Sequence, residues 1–404
     1  MLPQPNLSFT LPSIYDNTKL DCRVYHPPCF SQPSGARDIP WRQHAAVVSH
    51  PYAPLGGNFD DHIVHLVAST LLQHGFVVAT FNFRGASSDG RTSWTSKPER
   101  FDYMSVVGFL VYYVHHLHLP PDSPVTANDD AFTPTLLLAG YSYGAMVTLQ
   151  LPPLESFLTQ FASPATHTAM ADIRLRAQHL AEQQVRITSA PPSSPRKSLG
   201  MRIGGDEDTL PQKPSKKFRA HSPDREERIR KGVKDVLART KLIHRKRDHS
   251  NTEHSEEIGH EPCLESIGNL IRFRIAYLLV SPPLGLVTNL ATMSFSNPLS
   301  SWSRRRKRGP SPARNHERDT KQEEVEAEAE TKLVKNATMV IYGDQDGFLA
   351  VKKMRDWVFR LGNHEGRRFR HLEVSGAGHF WVEDGVMYKL EEAVSSFAAD
   401  LGGS

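Results

Sequence analysis

The chain has 404 residues, of which 39% are hydrophobic and 23% charged, which allows one large domain or two modest ones. A formal net charge of +4 is too small to indicate nucleic-acid binding, so we expect no nucleic-acid partner. The three cysteines, Cys22, Cys29 and Cys263, are too few for a disulfide framework, which is typical of a reducing compartment.

Two parts of the sequence indicate where in the cell the protein is expected, namely the start of the chain and its longest weakly polar run. The first residues, MLPQPNLSFTLPS, contain neither a basic nor an apolar stretch, so no secretory signal is predicted. The run Ile275–Phe295 is interrupted by Pro282 and Pro283, which favours a buried strand and a loop over a membrane span. We therefore expect a cytoplasmic protein without a membrane span.

Strand and helix patterns alternate along the chain. In order they are strands at Leu7–Leu11, Leu20–Tyr25 and His44–Ser49, a helix from Ile63 to a stop at Gly75, a strand at Phe76–Phe81, a helix at Tyr103–Leu117 and a strand at Thr135–Ala139. After a long polar interval come strands at Ile271–Val280 and Ala337–Tyr342, a helix at Val351–Leu361, a strand at Arg368–Val374 and a helix at Val386–Leu401. This alternation, with continuously apolar strands, predicts an α/β fold with a mostly parallel central sheet flanked by helices.

Two polar stretches interrupt this pattern and set the predicted boundaries. Residues 1–153 and 334–404 form the two parts of one domain, and residues 271–299 supply a core strand and a candidate lid segment. Residues 154–270 are predicted to be a largely disordered insertion with helical patches near 169–187 and 225–242, and residues 300–333 a charged disordered insertion. Such stretches cannot bury enough apolar surface to offset the entropy of ordering.

Basic runs within the insertions allow two interpretations. Lys216–Arg219, Arg245–Arg247 and Arg304–Arg308 are either solvated charge, the commoner case, or nuclear-import or polyanion-binding segments. The insertions are also the candidate sites for protein partners.

The pentapeptide Gly140–Gly144, GYSYG, fits the pattern GxSxG. The apolar run TLLLA precedes it and the helix-like AMVTLQL follows it, which is the strand–turn–helix setting of a nucleophile elbow. Ser142 is therefore the candidate nucleophile, against the alternative of a plain turn with a buried serine. A serine hydroxyl needs a base to take its proton.

His379 is the candidate base, because it lies in the glycine-flanked stretch GAGHFW just after a predicted strand. The turn Gly343–Asp346, GDQD, offers two carboxylates that could orient this histidine. We prefer Asp346, since the second acid of such a turn usually points towards the histidine, and Asp344 would then brace the loop. The chain order Ser142, Asp346, His379 is the one that the predicted fold requires of such a triad.

An oxyanion hole would use the backbone N–H after the nucleophile, at Tyr143, and one from the loop after an early strand. That loop is SHPYAPLGG, in which Tyr52 is the preferred candidate donor, against the alternative of an ordinary proline-rich turn. No metal and no cofactor are needed by these groups.

Several of these motifs together resemble those of the stand-alone α/β-hydrolase superfamily serine hydrolases. They are SHPYAPLGGNFDD, FVVATFNFRGASSDG, LLLAGYSYGA, VIYGDQDGF and GAGHFW. The resemblance covers about half the chain and implies the α/β-hydrolase fold and acyl-transfer chemistry. The resemblance does not specify the substrate; we expect hydrolysis of a small-molecule carboxylic ester first, with a thioester or short peptide as alternatives. A catalytically silent interaction scaffold is the rival class.

Overall fold

The computed structural model describes residues 2–30, 41–86, 90–93, 95–117, 133–189, 227–238, 262–284, 330–363 and 368–403. Within these ranges one sheet is formed by β1 (Leu7–Pro12), β2 (Lys19–Tyr25), β3 (Ala45–Ser49), β4 (Val77–Phe81), β5 (Thr135–Tyr141), β6 (Arg274–Val280), β7 (Ala337–Gly343) and β8 (Phe369–Val374). The strand order is β1-β2-β4-β3-β5-β6-β7-β8. β2 runs antiparallel to both its neighbours, and the six strands from β4 to β8 across the sheet are parallel.

The helices lie on both faces of this sheet. They are α1 (His62–Gln73), α2 (Lys97–His116), α3 (Tyr143–Leu149), α4 (Leu154–Ala162), α5 (Ala169–Ser189), α6 (residues 227–238), α7 (residues 330–335), α8 (Val351–Gly362) and α9 (Val386–Gly403). α1 and α9 pack together over one face, while α2, α3, α4 and α5 contribute to the core on the other. No helix within the described ranges is long and apolar enough to cross a bilayer.

The burial of each strand follows from its place in the sheet. All residues of β3, β4 and β5 are buried, because helices cover both faces of these central strands. β1, at the edge, alternates buried and half-buried residues. The register pairs Ser49 with Gly140 and Gly140 with Leu279, so the carboxyl ends of β3, β5 and β6 meet at one edge of the sheet.

The long segment between α4 and β6 leaves and rejoins the domain at one place. Ala165 pairs with Cys263 in an isolated antiparallel bridge, with the Thr166 N–H donating to the Pro262 carbonyl at 2.9 Å. α5 packs along α2, and Val236 of α6 is buried with apolar residues of α5. The described part of this segment therefore contains the bridge and two helices, α5 and α6, that pack on the domain.

The predicted fold class is confirmed, because this strand order with an antiparallel second strand is the α/β-hydrolase fold. The predicted start of α2 at Tyr103 is wrong by about two turns. The helix begins at Lys97 with Pro98 in its first turn, where a missing N–H costs no bond, and apolar periodicity does not mark such a polar start. α4 was not predicted. Of the insertions predicted at residues 154–270 and 300–333, the described part includes α4, α5, α6 and the start of α7. Residues 190–226, 239–261 and 300–329, and residues 285–299 of the candidate lid segment, lie outside the described residues.

Candidate active site

Ser142 occupies a strained turn between β5 and α3. Its backbone has φ 53° and ψ −117°, a conformation that a residue with a side chain adopts only when its surroundings enforce it. A Cβ at Gly140 would lie 2.4 Å from the Gly144 carbonyl carbon, and one at Gly144 would lie 2.7 Å from the His50 carbonyl oxygen. Both glycines of the GxSxG pattern are thus required by close backbone contact.

The backbone of β6 fixes this turn. The Ser142 N–H donates to the Val280 carbonyl at 2.8 Å, where β6 ends. The elbow is therefore hydrogen-bonded to the neighbouring strand, and the serine side chain lies at the carboxyl edge of the sheet.

His379 follows β8 and lies against the serine. Its Nε2 is 2.8 Å from Ser142 Oγ, and both side chains are largely buried. Two long-range bonds hold the histidine loop: the Tyr141 hydroxyl donates to the His379 carbonyl at 2.7 Å, and Trp381 Nε1 donates to Ser281 Oγ at 3.2 Å. Burial raises the pKa of the Tyr141 phenol, so it remains a hydrogen-bond donor.

Of the two acids after β7, the structure brings Asp346 to the histidine. Its Oδ2 and Oδ1 lie 2.7 Å and 2.9 Å from His379 Nδ1, and its side chain is fully buried. Asp344 instead accepts the Gly376 N–H at 2.7 Å and the Ser375 hydroxyl at 3.2 Å. The carboxylate of Asp346 selects the Nδ1–H tautomer of His379, which leaves the Nε2 lone pair facing the serine hydroxyl.

The two candidate oxyanion donors lie beside the elbow. Tyr143 is the first residue of α3, so its N–H has no partner within that helix. Tyr52 precedes a short 3₁₀ turn, Ala53–Leu55, and its ring packs against that of Tyr143 with centroids 5.1 Å apart. The structure therefore brings together all five residues that the sequence singled out.

An apolar rim, which we define as Phe348 and Phe380, borders the histidine. The Phe348 ring lies 4.6 Å from the His379 ring and 5.7 Å from that of Phe380. Phe348 is 41% exposed and Phe380 56% exposed. Two exposed phenylalanines beside a buried polar group offer an apolar surface to a ligand.

Residues of the FNFRG motif hold the loop after β4 in place through hydrogen bonds, a role that the sequence did not indicate. Asn82 Oδ1 accepts the Phe59 N–H at 2.9 Å, and the Phe83 N–H donates to His50 Nε2 at 2.9 Å. Arg84 donates from Nε and from a terminal nitrogen to the two carboxylate oxygens of Asp102, at 2.9 Å and 2.7 Å. Three successive residues thus join this loop to three other segments.

Arg84 also contacts the loop between β1 and β2. It donates to Asp16 at 2.8 Å and to Ser13 Oγ at 3.1 Å, and it is almost fully buried. The guanidinium therefore has a structural role away from Ser142. Among the described residues no group of three or more His, Cys, Asp or Glu side chains could hold a metal ion.

Comparisons of the chain with known proteins give matches in structure but none in sequence. No family model and no curated protein sequence matches the chain. Among solved structures, it is similar to a serine hydrolase of Xanthomonas campestris described as lacking a lid (14% identity, TM-score 0.43, covering 98% of this chain and 95% of that one). It is also similar to the esterase Est1E of Butyrivibrio proteoclasticus (11%, 0.41, 98% and 99%) and to an esterase of Pyrococcus furiosus (12%, 0.42, 97% and 89%). At these values no activity or substrate transfers to this chain.

Proposed function

We propose that the protein is a serine hydrolase that cleaves carboxylic esters through an acyl-enzyme. The observation that carries this proposal is the continuous hydrogen-bonded chain from Ser142 Oγ through His379 to Asp346, with contacts of 2.8 Å and 2.7 Å. A serine is activated when a base lies within hydrogen-bond distance of its hydroxyl and a third group orients that base.

In the first half of the reaction, Ser142 Oγ attacks the ester carbonyl carbon while His379 Nε2 accepts the hydroxyl proton. Asp346 holds the ring in the required tautomer and stabilises the imidazolium. The negative charge that develops on the carbonyl oxygen is held by the N–H groups of Tyr143 and Tyr52. Collapse of the tetrahedral intermediate expels the alkoxide, which takes the proton from His379.

In the second half, water enters and His379 accepts one of its protons. The resulting hydroxide attacks the acyl carbon, and the serine leaves with the proton returned by His379. An ester is the proposed substrate because its alcohol leaves more readily than an amine. A thioester would follow the same steps and is the next candidate, with a short peptide third.

The proposal is tested by active-site labelling with a fluorophosphonate probe, followed by a panel of short-chain esters and thioesters. We expect wild-type protein to be labelled and Ser142→Ala to lose both labelling and turnover, the latter by up to about 10⁶-fold. Ser375→Ala is the matched control, since its hydroxyl contacts Asp344 and not His379. Labelling that persists in Ser142→Ala would disprove the assignment.

A further inference from the structure

His50 is a buried histidine, and each of its two ring nitrogens forms a hydrogen bond with a backbone group. It follows β3 directly and is 0% exposed. The Phe83 N–H donates to its Nε2 at 2.9 Å, and its Nδ1 lies 2.6 Å from the carbonyl oxygen of Pro51. One imidazole thus connects the loop after β4 to the loop that carries Tyr52.

These contacts define the protonation of the ring. Because Nε2 accepts a backbone N–H, it carries no proton, so the neutral ring has its proton on Nδ1 and donates it to Pro51. Burial lowers the pKa of His50 to about 4, so the ring stays neutral near pH 7. The Pro51 carbonyl is therefore held by a permanent donor.

The orientation of that carbonyl determines the direction of the next N–H. The Pro51 C=O and the Tyr52 N–H belong to one planar trans peptide unit and point in opposite directions. A bond that fixes the oxygen therefore fixes the N–H as well. Tyr52 is further held because its carbonyl accepts the Gly57 N–H at 3.1 Å.

Gly57 leaves the space that this peptide needs. A Cβ at this position would lie 2.2 Å from the Pro51 oxygen and 2.8 Å from the Tyr52 oxygen, so any side chain would displace the peptide. His50 and Gly57 of the stretch SHPYAPLGG thus act on the same peptide unit.

We propose that His50 is a positioning residue that aims the Tyr52 N–H at the substrate oxyanion through its bond to the Pro51 carbonyl. The inference rests on the proposed hydrolase function and deepens it. His50 touches neither substrate nor Ser142 in this role; it presets a donor, so its loss should affect the transition state more than substrate binding.

Two substitutions of His50 each keep one of its two hydrogen bonds and remove the other. In His50→Asn the side-chain nitrogen can occupy the place of Nδ1 and donate to Pro51. In His50→Gln the side-chain oxygen can occupy the place of Nε2 and accept from Phe83, while Pro51 loses its donor. We expect His50→Gln to lower kcat about 10²–10³-fold with KM changed little, as for loss of an oxyanion donor. His50→Asn should recover most of that loss.

A second readout distinguishes positioning from a structural role. The serine hydroxyl adds to the carbonyl of a trifluoromethyl ketone and forms a tetrahedral oxyanion. The affinity of His50→Gln for this ketone should therefore fall by about the same factor as kcat. His44→Gln is the control: His44 is also buried, accepts the Thr135 N–H at 3.0 Å and lies at the opposite end of β3. It should change the melting temperature without changing kcat or ketone affinity.

The inference is overturned if His50→Gln keeps its kcat and ketone affinity, or if the Asn and Gln variants lose kcat equally. Those results leave the proposed function intact as long as wild-type protein hydrolyses esters. A wild-type protein that neither hydrolyses esters nor reacts with a fluorophosphonate at Ser142 overturns the proposed function, and the inference with it.

Discussion

Two carboxylates stand in the same turn after β7, and their surroundings give them different tasks. Asp346 is buried against the ring of His379, whereas Asp344 accepts hydrogen bonds from the loop at Ser375 and Gly376. Only the first lies where it can select the tautomer of His379. The second stiffens the loop that carries it.

We expect Asp346→Asn to lower kcat by about 10⁴-fold, because an amide can stabilise the wrong tautomer of His379. Asp344→Asn is its matched control and should cost less than about tenfold, together with a small fall in melting temperature. Steady-state kinetics on one ester, with thermal unfolding of both variants, make the comparison. A larger kcat loss in Asp344→Asn would require the two roles to be exchanged.

The apolar rim gives a prediction on substrate preference. Since the Phe348 ring lies 4.6 Å from that of His379, we expect Phe348→Ala to raise KM for esters with large apolar groups by about tenfold, the loss of roughly 1.5 kcal/mol of apolar contact. KM for a methyl ester should change little. Phe359→Ala is the control, since Phe359 is 69% exposed and lies on α8. Equal effects on both esters would show that the rim does not contact substrate.

At the scale of elements, the sequence predicted nearly every strand and most helices because each carries its own apolar pattern. The three residues Ser142, Asp346 and His379 were predictable for the same reason, since each follows a strand. The bond between His50 and Phe83 was not predictable, because its donor is a backbone N–H with no side-chain signature. It depends on the parallel register that sets β3 beside β4, as when Val48 pairs with Thr80.

The α5–α6 pair predicts which part of the long insertion the domain needs. Replacing residues 191–225 with a glycine–serine linker of about 12 residues should leave melting temperature and esterase rate nearly unchanged, because both helices remain. A longer deletion, of residues 190–262, also removes Val236 and the Pro262 carbonyl that accepts from Thr166, so its melting temperature should fall. Circular dichroism melting and one ester assay compare the two variants. Equal melting temperatures would show that α6 contributes no stability.

For the molecule as a whole, buried and half-buried histidines contribute to the response to acid. Burial lowers the pKa to about 4 at four of them: His26, His44, His50 and His116. Between pH 6.5 and 4 the unfolded chain binds these protons and the folded chain does not, so stability falls as the pH falls through this window. Urea unfolding at pH 7, 6 and 5 should show this decline.

The matched variant is His44→Asn, which can still accept the Thr135 N–H but cannot titrate. It should reduce the dependence of unfolding free energy on pH by up to about 1.4 kcal/mol per pH unit. An unchanged slope would show that His44 is protonated equally in the folded and unfolded chains.

The bridge between Ala165 and Cys263 has a consequence for how this chain could acquire new parts. Since the polypeptide leaves and returns at neighbouring residues, a segment inserted between these two points does not distort the domain. Within the bridged segment, α5 and α6 pack against each other, with Val236 buried beside Leu175. A fluorescent protein, whose termini are close together, could therefore be inserted between these helices in place of residues 191–225 as an internal reporter. The same geometry allows natural sequences to lengthen or shorten at this place while the sheet stays the same.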